Sequence, residues 1–234
     1  MPKIIVAYNG TPHAEDALAL ARSLGELLGA QVDLAHVHRA DPHDRSPSAT
    51  VRGREEFLRR EGEALLSRAT ESGGTRHAIA GTTTASALRE LAEREHAELI
   101  VFGSAHDGPS GQVQPGSAAR RLLQSAHCAI AVAPDGFRER PSTAQPTVTY
   151  AYDEDGSARR TAEALAARGA VSVSEHADAE SDLIVVGSHV GAPSGQLKTS
   201  ASSDRLIRAA RVPVVVLARD RVLGVGGAAS VRAA

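Results

Sequence analysis

Short apolar runs rich in β-branched residues alternate with segments of helical periodicity along this chain. The first run, 3–8, ends at the turn cluster Asn9-Gly10-Thr11-Pro12, and an amphipathic helical segment follows it. Residues 1–133 contain five such runs and four helical segments in strict alternation. Strict alternation predicts an α/β, Rossmann-like fold, in which a parallel sheet is flanked by helices and the crossovers are right-handed.

Glycine and proline set the predicted boundaries in this first half. Gly29 ends the first helical segment, the pair Gly73-Gly74 ends the second, and residues 39–52, with two prolines, form a predicted loop. The predicted strands are 3–8, 32–38, 75–80, 99–102 and 128–133, and the later helices are 54–72, 85–96 and 117–126.

The pattern restarts after 134–146, a stretch with three prolines that is the best linker candidate. The Gly- and Ala-rich end, 219–234, has no periodicity and is expected to be disordered or loosely docked. The later predicted strands are 148–152, 171–176, 183–186 and 212–217, with helices at 158–168 and 203–210. We therefore predict a first domain at 1–137, a linker at 138–146, a second domain at 147–220 and a low-complexity tail at 221–234.

The two halves share an internal repeat. Residues 99–133 and 183–217 align at a constant shift of 84, with 13 of 35 positions identical and no gap. Both copies contain Leu-Ile-Val-x-Gly-Ser and Pro-Ser-Gly-Gln. The first strands correspond at a shift of 144, so the second copy lacks about 60 residues from its middle. The repeat predicts a duplicated α/β unit whose second copy is truncated.

Composition excludes several classes of function. With 26 Lys and Arg against 28 Asp and Glu, and 3% aromatic residues, the chain is not expected to bind nucleic acid. The longest apolar run, 212–218, is far shorter than a membrane helix, and the N-terminus does not resemble a signal peptide. Cys128 is the single cysteine, which excludes an intrachain disulfide and a cysteine-based zinc cluster. We expect a cytoplasmic protein with no membrane partner.

One segment has the parts of a phosphate-binding loop. Gly103 ends a predicted strand, and Gly116-Ser117 opens a predicted helix. A helix start offers free N–H groups and the positive end of its dipole to an anion, and ligands of open parallel sheets bind beyond the strand carboxyl ends. The alternative is a tight turn followed by an ordinary helix cap. A histidine- and aspartate-rich stretch at 36–44 is interpreted as a strand end and a solvated loop, so no metal site is predicted.

These residues resemble the universal stress protein family, in a tandem form with a shortened second domain. The resemblance rests on Ile-Ile-Val-Ala-Tyr-Asn-Gly-Thr at 4–11, Ala-His-Val-His at 35–38 and the segment 99–121. ATP-binding members carry Gly-x2-Gly-x9-Gly-(Ser/Thr) in that segment, and the resemblance implies an adenine nucleotide hydrolase-like fold with ATP, and Mg²⁺ with it, as possible ligands. It implies a nucleotide site built from Ala7, Tyr8, Asn9, Val37, Phe102, Gly103, Ser104, His106, Gly116, Ser117 and Ala118.

Two positions depart from the family pattern. His106 replaces the middle glycine, and Asn9 replaces the acidic residue that usually follows the first strand. If position 106 needs a positive φ, a histidine there is strained and obstructs the phosphates. A histidine beside a triphosphate could instead be protonated, or donate a hydrogen bond while neutral. Asn9 could still bond a ribose hydroxyl or the adenine edge.

Three functional hypotheses remain open from the sequence. The first is a stress-response protein that binds or senses ATP without efficient catalysis, since no catalytic constellation is found and at most slow ATP hydrolysis is expected. The second is an interaction module that binds no nucleotide and acts through an unknown protein partner. The third is an enzyme of the adenine nucleotide hydrolase-like group. The apolar final strands, 128–133 and 212–217, predict that the halves pair as an intrachain pseudo-dimer, with a homodimer also possible.

Overall fold

The computed structural model describes residues 1–40, 49–69, 73–140, 146–169, 172–175 and 181–224. No helix within these ranges has the length and apolar character required to span a bilayer. The strands are β1 (Lys3–Ala7), β2 (Gln31–Arg39), β3 (Gly73–Gly81), β4 (Leu99–Gly103), β5 (Ala129–Ala133), β6 (Thr147–Ala151), β7 (Ser172–Glu175), β8 (Leu183–Val186) and β9 (Val214–Val216). The helices are α1 (Pro12–Leu28), α2 (Ala49–Arg68), α3 (Thr84–Glu95), α4 (Ser117–Leu122), α5 (Ser157–Ala166) and α6 (Ala201–Ala209), with a 3₁₀ turn at Phe137–Glu139.

All nine strands form one sheet in the order β3-β2-β1-β4-β5-β9-β8-β6-β7. Every neighbouring pair is parallel except β5 and β9, which run antiparallel with Ala131 opposite Val215. This confirms the predicted α/β fold with a mostly parallel sheet. The single antiparallel pairing joins the last strands of the two halves, as their apolar character predicts.

Helices cover both faces of the sheet. On one face, α1, α2 and α5 pack against side chains such as Ile4 and Val6 of β1. On the other face, α3, α4 and α6 pack against Ile5 and its neighbours. Because both faces are covered, the central strands are apolar at nearly every position instead of alternating.

The second half repeats the topology of the first. Its order β6-α5-β7-β8-α6-β9 matches β1-α1-β2-β4-α4-β5, and α4 and α6 begin at Ser117 and Ala201, at the shift seen in the sequence. Within the described ranges, α2, β3 and α3 have no counterpart there. The interpretation of this half as a shortened second domain remains a prediction.

Several boundaries differ from the predicted ones. The second helix begins at Ala49, inside the predicted loop 39–52, whose residues 41–48 lie outside the described ranges. The fourth helix ends at Leu122 instead of 126, because hydrogen bonds such as Ser125 N–H to the Leu122 carbonyl (3.1 Å) tighten the chain into turns there.

The start of the predicted linker is packed against the first domain. The buried Asp16 carboxylate of α1 accepts hydrogen bonds from the backbone N–H groups of Gly136 and Arg138, each at 3.0 Å. These bonds hold the 3₁₀ turn Phe137–Glu139, which crosses the predicted boundary at 137. Residues 141–145 of the linker lie outside the described ranges.

The start of the predicted tail is also packed. Leu223 is buried in the core, and the Arg168 guanidinium donates hydrogen bonds to the Leu28 and Gly224 carbonyls. Tail residues 221–224 therefore dock onto both halves, whereas 225–234 lie outside the described ranges.

We expect a fragment of residues 1–140 to self-associate, because it leaves the apolar edge of β5 without β9 and an uncovered edge is a template for another strand. Sedimentation velocity at high micromolar concentration checks this, with the full chain as the control. A fragment that stays monomeric would show that covering this edge is not needed.

Candidate functional site

A cleft of about 360 Å³ lies beyond the carboxyl ends of β1 and β4. The strand order reverses between these two strands, which is where open α/β sheets bind ligands. Ten of the eleven residues predicted for the site line the cleft: Ala7, Tyr8, Asn9, Val37, Phe102, Gly103, Ser104, Gly116, Ser117 and Ala118. The eleventh, His106, is an exposed residue that contacts His13, a lining residue of the cleft.

Gly103 serves packing at the base of the cleft. A Cβ atom at this position would lie 1.9 Å from the His13 carbonyl oxygen in the first turn of α1. Gly187, its counterpart in the second half, meets the Tyr152 carbonyl in the same way, at 2.3 Å. The close approach that requires glycine at 103 is therefore made by the protein's own backbone.

Ser104 organises the loop between β4 and α4. Its Oγ lies 2.8 Å from the Ala133 carbonyl oxygen and 3.1 Å from that of Gln112, and accepts a hydrogen bond from Gln114 N–H at 3.0 Å. In the second half, the Ser188 hydroxyl binds the loop backbone in the same manner. The Ser104 hydroxyl is thus engaged by the loop, and it does not contribute a free group to the predicted site.

The shared Pro-Ser-Gly-Gln segment forms a turn in both halves. Gly111 and Gly195 have φ of 72° and 75°, a conformation that favours glycine, and the turns close with hydrogen bonds from Gln112 to Pro109 and from Gln196 to Pro193. The repeat of this motif therefore reflects loop conformation.

The start of α4 opens into the cleft without a side-chain cap. Gly116 is the N-cap residue, with φ −69°, and a Cβ there would meet nothing closer than 4.0 Å. The first N–H groups of a helix have no intrahelical partner, so they are free to bind an anion. In the second half, by contrast, Ser200 caps α6 by accepting from Ser203 N–H at 3.1 Å.

A backbone N–H of the loop before α6 is also bound by a side chain in the second half. The Val190 N–H, the counterpart of the His106 N–H, donates to the Glu154 carboxylate at 2.8 Å. In the second half, side chains therefore bind backbone donors both at the start of α6 and in the loop before it.

Polar groups at the end of β1 are held in place by neighbours. The Asn9 Oδ1 accepts from the Thr11 hydroxyl at 2.7 Å and from its N–H at 3.3 Å. The Tyr8 hydroxyl donates to Glu15; burial, with a further effect of that carboxylate, raises the pKa of Tyr8 to about 12. The His36 Nδ1 lies 3.1 Å from the Tyr8 carbonyl oxygen. Tyr8 therefore remains a neutral phenol. Asn9 lines the cleft, and its amide NH₂ makes no hydrogen bond among the described residues.

A chain of three polar side chains runs along the rim of the cleft. The Asp135 Oδ1 lies 3.2 Å from His13 Nδ1, and His13 Nε2 lies 3.5 Å from His106 Nδ1. Among the described residues, the non-glycine positive φ angles belong to His96, Tyr152 and Asp220. His106 is not one of them, so the expected backbone strain at this position is absent.

The neighbourhood of His13 is not a metal site in our interpretation. Ligand atoms of His13, Asp16 and Asp135 lie within 4.8 Å of one another. The Asp16 carboxylate, however, already accepts from two backbone N–H groups and from the Arg138 guanidinium, which supplies the positive charge.

A larger cavity of about 870 Å³ lies at the opposite edge of the sheet, where the halves meet. Both arginine and acidic side chains line it, including Arg160, Arg221, Glu98 and Glu163. Cys128 lines it too, and burial raises the pKa of this thiol to about 12, so it remains a protonated thiol. Nothing here converges on one ligand chemistry, so we assign the functional site to the smaller cleft.

Sequence reasoning missed His13, which lines the cleft and contacts His106. Its only signal is position: it follows Thr11-Pro12, so it lies in the first turn of the helix after β1. The contact with a loop 93 residues later depends on the tertiary fold.

A known protein family and several solved structures are similar to this chain. The model of the universal stress protein family matches residues 1–134, so the chain belongs to that family. A universal stress protein from Archaeoglobus fulgidus matches 93% of this chain and 98% of its own length, with a TM-score of 0.60 and 14% identity. A Pseudomonas aeruginosa structure assigned to the same family covers 93% of both chains, with a TM-score of 0.58 and 14% identity.

A family protein from Burkholderia pseudomallei matches 56% of this chain and 95% of its own, with 29% identity and a TM-score of 0.40. No curated protein sequence matches the chain. The two longer matches support the fold over nearly the whole chain.

The two glycines of the cleft should respond differently to the same substitution. We expect Gly103→Ala to lower the free energy of unfolding by about 1–3 kcal/mol or more, because the added methyl overlaps the His13 carbonyl. Gly116→Ala should cost under about 1 kcal/mol, as a change of helix cap in open space. Urea denaturation of both variants measures this, and equal losses would contradict the assignment.

Proposed function

We propose that the first half of the chain binds an adenine nucleotide, with ATP the simplest candidate, and that the protein is a cytoplasmic stress-response sensor without efficient catalysis. The observation that supports this most is the uncapped start of α4, Gly116-Ser117, opening into the cleft between β1 and β4. The chain belongs to the universal stress protein family, and the first N–H groups of α4 are free to bind an anion in the cleft.

The walls of the cleft suit the rest of a nucleotide. Apolar side chains of Ala35, Val37, Leu88 and Phe102 offer a surface for a flat base. The free amide NH₂ of Asn9 can donate to a ribose or adenine acceptor. A volume of about 360 Å³ lies within the range of small-molecule sites, at its small end.

The side chains favour binding over hydrolysis. Among the described residues that line the cleft there is no Asp or Glu, the side chains that would supply a carboxylate base or metal ligand. Mg²⁺ would therefore enter with the nucleotide, bound chiefly by its phosphates. The hydroxyls of Tyr8 and Ser104 are already engaged, by Glu15 and by the loop. The enzyme hypothesis has the least support.

The interaction-module hypothesis remains the alternative. It is favoured by the two departures from the ATP-binding pattern, Asn9 and His106. The argument from His106 is weakened because its φ is not positive and its exposed side chain is not among the residues that line the cleft. Nucleotide binding therefore remains the better supported proposal.

We propose one nucleotide per chain. In the second half, Ser200 caps α6 and the Glu154 carboxylate holds the Val190 N–H, so the donors of a second cradle are occupied. The counterparts of α2, β3 and α3, which flank the far side of the first cleft, are absent from the described second half.

Saturating ATP should raise the melting temperature. At about 100 times Kd, binding stabilises the folded state by about 2.7 kcal/mol, which corresponds to about 5–10 °C for a chain of this size. Differential scanning fluorimetry with ATP, ADP, AMP and no ligand measures it. A flat response to all three nucleotides would favour the interaction module.

The double substitution Gly116→Val with Ser117→Ala should weaken ATP binding at least about tenfold, because it crowds the helix start and removes a hydroxyl. Ser200→Ala, the control in the second half, should cost some stability but leave the affinity unchanged. Titration calorimetry should give one site per chain in the control. Two sites, or binding retained in the double variant, would contradict the assignment.

A further inference from the structure

The chain Asp135–His13–His106 has a geometry suited to proton-coupled recognition. The Asp135 carboxylate uses both oxygens: Oδ1 lies 3.2 Å from His13 Nδ1, and Oδ2 accepts from the Ser110 hydroxyl at 3.1 Å. The two imidazole rings lie with centroids 5.7 Å apart, and the facing nitrogens are 3.5 Å apart. A carboxylate fixed at one end of such a chain stabilises positive charge on the rings.

The His13 nitrogen that faces Asp135 is buried and makes no hydrogen bond within the described residues. A buried imidazole nitrogen beside a carboxylate is satisfied when it carries a hydrogen and faces that carboxylate as a donor. The outer ring, His106, is exposed and stands in the loop that pairs with the segment leading into α4, through Ala105 N–H to the Gln114 carbonyl at 2.7 Å. This hydrogen bond holds the loop of His106 against the segment that leads into α4.

We propose that His106, positioned by His13 and Asp135, binds the phosphate chain of the nucleotide as a cation, so that binding takes up a proton. This rests on the proposed function. In this arrangement, His106 is a contact for the ligand, and His13 and Asp135 are positioning residues.

Other charged groups around the pair fit this assignment. Asp107 follows His106 on the loop, Arg120 and Arg121 lie on α4, and Asp16 with Arg138 lies behind His13. Asp16 is paired with Arg138, whereas Asp135 faces His13 directly. In the second half, Val190 stands at the position of His106, so no equivalent titratable group exists there.

The sign of the pH dependence follows from linkage. Histidines ordinarily titrate near pH 6.5, and a ligand that prefers the protonated form binds more tightly as pH falls. ATP affinity should therefore be about fivefold higher at pH 6.0 than at pH 8.0, relative to a variant without the group. Because the terminal phosphate of ATP also titrates in this range, the ratio of wild-type to variant affinity is the proper readout.

The experiment is titration calorimetry of the full chain with ATP from pH 6.0 to 8.0. His106→Gln should lose the fivefold excess, and His13→Gln and Asp135→Asn should flatten the profile partly. The control, His127→Gln, removes an exposed histidine at the opposite edge of the sheet and should keep the wild-type profile. Adenosine, which lacks phosphate, should bind wild type with no pH dependence.

Wild type alone provides a second readout. At pH 7, titrations in two buffers of different ionisation enthalpy should show net proton uptake with ATP and none with adenosine. ATP that binds with the same pH profile in wild type and His106→Gln, or without proton uptake, would overturn this inference and leave the proposed function intact. Absence of ATP binding at every pH would overturn both.

Discussion

The antiparallel pairing of β5 and β9 is the interaction on which the molecule depends. These strands consist of alanine, isoleucine and valine, and their residues are almost completely buried. Without this pairing, each of the two strands would be an apolar sheet edge with unsatisfied backbone N–H and C=O groups. The last strand of each half would then not lie inside a sheet that helices cover on both faces. Their union makes one sheet of two topologically similar halves. It also turns the carboxyl ends of the two halves toward opposite edges, so two potential sites face away from each other.

The two halves can be compared at corresponding positions of the fold, where one feature is shared and another differs. Both keep a glycine that lets backbone pass close by, at Gly103 and Gly187, because a methyl there would overlap a carbonyl. They differ at the next helix: Gly116 leaves its N–H groups open, whereas Ser200 supplies its own cap. The close packing at the glycine is therefore the same in both halves, and the uncapped helix start occurs in one of them.

Much of the fold could be predicted from the sequence. The strands and helices follow from periodicity and from glycine and proline positions, and the repeat follows from identical residues at a constant shift. The cleft residues were predicted from the family resemblance, and ten of the eleven line the cleft. Contacts between distant residues could not be predicted. The Asp16 carboxylate binds the backbone of the 3₁₀ turn, 120 residues later in the chain. Because this contact is distant in sequence, local pattern placed the turn at the start of a linker and gave no sign that it is packed. The backbone at His106 and its contact with His13 depend on how the loop folds against α1, which local pattern does not encode.

The most direct test of the account is a crystal structure of the full chain grown with ATP and Mg²⁺. The account predicts one nucleotide per chain, with its phosphates at the N–H groups of Gly116 and Ser117 and its base against Val37 and Phe102. Nucleotide found instead in the large cavity between the halves, or beside Ser200 in the second half, would contradict it.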